Sequence, residues 1–159
     1  MQLHFLLPLF KWCDTTALGE FMRSGTWQFP LVETIHILSL TVLIGVVVVI
    51  DLRLMGLLMQ GWTVAGLARE LTPYLNGSLA TIIVSGSLLY LSEALKTFDN
   101  PAFWIKIYAL LSAIVFHYAV VRRVAKADQV SPRIGWTVGV VSLVLWLTIG
   151  WAGRAIAFV

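Results

Sequence analysis

The chain has 159 residues, of which 59% are hydrophobic and 12% charged, whereas soluble domains carry about a quarter charged residues. A single small domain cannot hide that much apolar surface from water, so lipid must be part of its solvent. The formal charge of +3 is scattered and forms no basic stripe, which argues against a nucleic-acid partner, and Cys13, the sole cysteine, excludes an internal disulfide and a thiolate metal cluster.

The start, MQLHFLLPLFKWCD, is apolar but lacks the positive flank and small-residue cleavage site of a signal peptide. Across residues 3–22, Leu3, Leu6, Leu7, Phe10, Leu18, Phe21 and Met22 are interspersed with Lys11, Asp14 and Glu20. This pattern predicts a helix lying in the membrane interface and broken or bent near Pro8. Residues 1–24 therefore form an interfacial segment ahead of a bundle spanning 25–159.

Four spans follow, each close to the ~20 residues needed to cross the hydrocarbon. The first runs from about Phe29 to Ile50, with Pro30 in its first turn and a continuation toward Met59. The second runs from about Tyr74 to Ala94, with Pro73 at its start. The third, from about Ala102 to Val121, is opened by Asp99-Asn100-Pro101, a helix-start signal. The fourth covers about Gly135 to Ala155. The expected fold is all-α, a transmembrane four-helix bundle with an N-terminal interfacial helix.

Tryptophans mark the interfaces of this map. Trp27, Trp104 and Trp151 fall on one membrane side, and Trp62 and Trp136 on the other. Trp146 is mid-span, as a packing residue or a pocket wall. Arg122, Arg123 and Lys126 cluster beside a span end, which puts that side in the cytoplasm of a bacterial inner membrane.

Ionisable side chains inside spans are costly and carry a functional hypothesis by default. His36 and His117 are such residues, and two imidazoles facing each other across a bundle can hold a haem iron at both axial positions. Glu33 precedes His36 by one turn and could fix its tautomer. Counted from the same membrane side, the two histidines differ in depth by roughly 12 Å before tilt. One iron therefore takes both only if tilt or displacement closes the gap; otherwise the histidines serve separate irons or a site shared between protomers. His4 is a third candidate ligand. Lys106 and Arg154 sit where haem propionates would need cations, with snorkelling to phosphate headgroups as the other reading. Asp51 is expected to pair with Arg122 or Arg123, and Glu93 with Lys96. Gly135 and Gly139 form a small-xxx-small step, with Gly45 and Gly86 inside the first two spans, all suited to close helix approach.

Trp27, Pro30, Glu33, His36, Gly45 and the segment Asp51-Leu52-Arg53-Leu54-Met55-Gly56 resemble a bacterial family of small four-span membrane proteins of unknown function. Asn100-Pro101-Ala102-Phe103-Trp104-Ile105-Lys106 and Phe116-His117 are similar to its third-span pattern. More loosely, the arrangement is similar to membrane b-type cytochromes and to copper-resistance membrane proteins with transmembrane histidines. That wider likeness implies haem ligation by His36 and His117, and it departs from two-haem cytochromes, which need two such pairs.

The leading expectation is a haem b protein of the inner membrane that carries electrons between a quinone or membrane partner and a redox partner protein, with no substrate turnover of its own. His36 and His117 are its iron ligands, Glu33 supports the first of them, and Lys106 and Arg154 serve the propionates. The lipid bilayer is its first partner, and a homo-oligomer is expected because four spans enclose little volume. The alternatives are a proton- or metal-ion-conducting subunit using Glu33, His36 and His117, a di-iron enzyme built on Glu33-x-x-His36 in a dimer, and a structural subunit.

Overall fold

The computed structural model of the chain describes residues 4–127, 130–156 and 158; Leu3 and the side chain of His4 lie outside the described part. In chain order the elements are a 3-10 turn (His4–Leu6), α1 (Leu7–Asp14), α2 (Ala17–Ser24), α3 (Gln28–Leu54), α4 (Val64–Ser92), α5 (Ala94–Phe98), α6 (Pro101–Phe116), a π turn (His117–Val121), α7 (Arg122–Lys126) and α8 (Pro132–Ala155). Among the described residues there is no strand. Four helical runs, α3, α4, Pro101–Lys126 and α8, are long and apolar enough to cross a membrane, which is the architecture of a multi-pass membrane protein.

Helix ends follow local chemistry. Asn100 opens α6 by accepting from the Ala102 and Phe103 amides at 2.9 and 3.4 Å, with Pro101 in the first turn, as the sequence predicts. Ser131 and Thr63 cap α8 and α4 in the same way. The second span therefore starts ten residues earlier than its sequence predicts, and Pro73 lies inside α4 rather than at its head. An interior proline forfeits one backbone hydrogen bond, which a long packed helix tolerates.

The N-terminal segment is two helices and not one bent at Pro8. Pro8 sits harmlessly in the first turn of α1, and the break falls at Thr15 and Thr16, where the Thr16 hydroxyl accepts from the Gly19 amide at 3.2 Å and restarts the helix. One face of the pair docks on the bundle end, burying Phe10, Cys13 and Met22. Arg23 fastens it there, donating to the carbonyls of Asp14 at 2.7 Å and Ser92 at 3.2 Å. The other face leaves Leu9, Trp12, Leu18 and Phe21 exposed.

The core is built on Leu43, Val47, Ile50, Leu75, Leu79, Ile82, Trp146 and Ile149. Trp146 is a packing residue, 2% exposed. α8 lies against α3 through the expected glycine step: a methyl on Gly135 would run into the Leu54 carbonyl oxygen, and one on Gly139 would come within 3.1 Å of the Asp51 carbonyl oxygen. Gly45, by contrast, faces open space.

The four spans do not close evenly. α3 packs along α4 and α8, and α8 along α6. α4 and the third span join at the end away from α1 and α2, where α4 meets α7 and the Tyr118 hydroxyl donates to Asn76 Oδ1 at 2.6 Å. Toward the α1–α2 end the two diverge and leave a gap.

Candidate functional site

That gap is a cavity of about 390 Å³. Ile82, Ile83, Gly86, Ser87 and Tyr90 of α4 form one wall, and Phe103, Trp104, Lys106, Ile107 and Leu110 of α6 the other. Leu6 and Phe10 roof it from the N-terminal segment, and His36 of α3 contributes from the bundle interior. Ile83 and Ser87 are exposed on the outer face of α4, so the rim reaches the surface that lipid would cover.

The aromatic walls are ordered by one another. Tyr90 stacks on Phe103 with centroids 5.7 Å apart, and Phe10 meets both edge-on. Trp104 donates its indole N–H to the Phe98 carbonyl at 2.9 Å, which holds the ring in place. The pocket is thus apolar and largely preformed, with few polar groups to set a ligand's orientation.

His36 is one of those groups. It is 7% exposed, and its Nδ1 lies 2.9 Å from Ser85 Oγ. The Ser85 hydroxyl gives its proton to the Thr81 carbonyl, 2.6 Å away and one turn back. Having spent its proton, Ser85 can only accept from the ring. In the tautomer with its proton on Nδ1, the ring donates to Ser85 and Nε2 keeps its lone pair. The ring also makes a hydrogen bond to the Ile82 backbone. Gly86 makes room for the ring: a methyl there would lie 3.1 Å from His36 Cε1.

Lys106 is the second polar group. It is half-buried, near enough to His36 to interact electrostatically, and forms no hydrogen bond or ion pair among the described residues. A lysine held in an apolar cleft without a partner is a ready site for an anionic group.

The other sequence candidates lie elsewhere. Glu33 is exposed one turn before His36, and the partner of His36 is Ser85. Arg154 is exposed, with its guanidinium 4.6 Å above the Phe158 ring, and does not line the cavity. His117 is buried but deep in the opposite half. His36 pairs with Ser85, while Tyr118, its neighbour in sequence, pairs with Asn76. Nine residues separate Ser85 from Asn76 along α4, a rise of roughly 13 Å. No single iron takes both histidines from one chain. Asp51 does not pair with Arg122 or Arg123: it points into the bundle, and Arg122 lies over the Tyr118 ring instead. Glu93 and Lys96 do pair, at 3.2 Å. Among the described residues no group of three or more His, Cys, Asp or Glu converges on a metal position.

Sequence reasoning missed Ser85, Tyr90 and Phe10 as site residues, and it read Gly86 chiefly as a place for close helix approach. Ser85 and Gly86 were legible as polar and small residues inside a span, but pairing them with His36 needed the register of α3 against α4.

No curated protein and no solved structure matches the chain. The model of one family, DUF6644, a family of unknown function, matches residues 9–159, and the chain belongs to that family.

Proposed function

We propose that the cavity at the α1–α2 end takes a haem b and that the protein is a membrane electron carrier. The observation that supports this most is the buried His36 imidazole, held by Ser85 at the edge of an aromatic cleft that also holds an unpartnered lysine. His36 would supply the axial nitrogen, and Lys106 would meet a propionate. Tyr90, Phe103, Trp104 and Phe10 would exclude water from the macrocycle and fix its plane. Among the described residues the lining holds no second histidine and no methionine, so His36 is the imidazole that the cavity offers. A haem bound there supplies a one-electron couple, suited to exchange with a quinone or a redox partner protein.

The rim formed by Ile83 and Ser87 supports a second reading, in which the occupant is a lipid-soluble quinone with its carbonyl oxygens toward His36 and Lys106. The ion-path reading has less support, because buried Leu79 and Ile82 fill the interval of α4 between the His36 and His117 levels. Titration of the detergent-purified, haem-free protein with haemin separates the first two. Saturation at one haem per chain supports the carrier. Unsaturable partitioning, with tight binding of a quinone analogue, supports the quinone site.

A further inference from the structure

The end of the bundle away from the cavity carries a second set of buried polar groups. Asp51 and Ser142 are each 1% exposed, and His117 is 5% exposed. Both carboxylate oxygens of Asp51, the Ser142 hydroxyl and His117 Nδ1 are sealed from the surface and make no close hydrogen bond among the described residues. Buried polar groups in proteins are nearly always paired, so several unpaired ones at one level call for an explanation.

Two constraints put them at that level. The Asn100 side chain donates to the Ile156 carbonyl at 3.1 Å, which ties the start of α6 to the end of α8. Counting seventeen residues on from Asn100 reaches His117, and seventeen back from Ile156 reaches Gly139. Gly139 in turn rests against the Asp51 carbonyl. His117 and Asp51 therefore share a depth to within about a turn. Ser142 of α8 is the side chain that reaches the Asp51 carboxyl, in a long hydrogen-bond contact. His117 opens the π turn, and an extra residue inserted in a helix of this kind is a frequent mark of a functional position. All three side chains are buried, so all three face inward.

An ionised carboxylate sealed in this place without a partner would cost several kcal/mol. Among the described residues no cation offsets it: Arg122 acts on His117 and not on Asp51. Arg53 spends its guanidinium on the Trp62 carbonyl, at 2.7 and 2.9 Å. Arg122 lies over Tyr118. Arg69 and Glu70 of α4, Arg123 and Lys126 of α7, and Arg133 of α8 form no ion pair with Asp51 among the described residues. Two potential metal ligands and a hydroxyl are fewer donors than a metal site in protein normally has. A proton is the ligand that satisfies the group: it neutralises the carboxyl and makes it a donor toward Ser142 Oγ.

We propose that Asp51, with Ser142 and His117, forms a proton-binding site in the half of the bundle opposite the cavity. Asp51 lies three residues before the last residue of α3, within about 5 Å of the helix end along its axis. The site is thus close enough to water to exchange its proton and enclosed enough to retain it. It is independent of the haem reading.

Infrared difference spectra of the full chain in lipid nanodiscs, recorded as pH is varied between about 5 and 8, test this. The expected result is the carbonyl band of a protonated carboxyl that moves in heavy water and on isotope labelling of aspartate, and is lost in Asp51→Asn. Ser142→Ala and His117→Gln should each shift its frequency. The isotope-labelled wild type keeps the test valid if a variant fails to fold. A spectrum with no aspartate carboxyl band across that range overturns the proposal. So does a band that appears only when sodium or potassium is withdrawn, which would make the site one for a metal cation.

Discussion

His36 Nδ1 lies 2.9 Å from Ser85 Oγ, and the Ser85 hydroxyl donates to the Thr81 carbonyl at 2.6 Å. Two helices and one backbone carbonyl thus decide which imidazole nitrogen faces the cavity. The device is the membrane counterpart of the outer-sphere partner that orients a metal-ligating histidine. Ser85→Ala removes the acceptor and frees the ring to rotate or change tautomer. Haemin affinity should fall about 10- to 100-fold, with the helical content unchanged by circular dichroism. An unchanged affinity would mean that Ser85 does not orient the ligand.

Gly86 is the space in which the imidazole sits. Gly86→Ala places a methyl 3.1 Å from His36 Cε1, so the ring or α4 must shift. Overpacking of this kind costs about 1–3 kcal/mol. The midpoint of thermal unfolding in detergent should drop, and haemin binding should fall with it. Gly45→Ala, which meets open space, should change neither.

Lys106 and Arg154 separate by function. Lys106→Met removes the cation in the cleft while keeping the length of the side chain, and should weaken haemin binding about tenfold, the worth of one charged hydrogen bond. Arg154→Met, outside the cavity, should leave binding alone. The same pair with a haem analogue whose propionates are esterified should show no difference, because the anion that Lys106 meets is then gone.

Asn100 holds the third span twice, by capping α6 and by donating to the Ile156 carbonyl. Asn100→Ala should lower stability by about 0.5–2 kcal/mol from the cap alone. Hydrogen exchange should rise first at the Ala102 and Phe103 amides.

The four-span fold was legible because each run of apolar residues is near the length that crosses hydrocarbon, and because Asn100-Pro101 and the tryptophans mark its edges. The glycine step at Gly135 and Gly139 was legible too, since small residues four apart share a face. What the sequence hid was register. The helical spacing of Glu33 and His36 suggested a partner on the same helix, but the partner that met the ring was Ser85, 49 positions away. The charge of Asp51 suggested a pair with Arg122, yet the glycine step drew α8 against α3 and turned the carboxyl toward Ser142. The start of α4 was misplaced because Pro73 is a stronger breaker on paper than in a packed span, and the Thr63 cap outweighed it. The break between α1 and α2 went to Thr16 and not Pro8 for the related reason that a proline in a first turn does no harm.

The most direct test is the visible absorption spectrum, oxidised and reduced, of the protein purified from haem-replete cells, beside those of His36→Ala and His117→Ala. The account predicts a Soret band with resolved long-wavelength bands on reduction, at one haem per chain, lost in His36→Ala and kept in His117→Ala. A colourless wild-type protein, or a Soret band that survives His36→Ala, would contradict it.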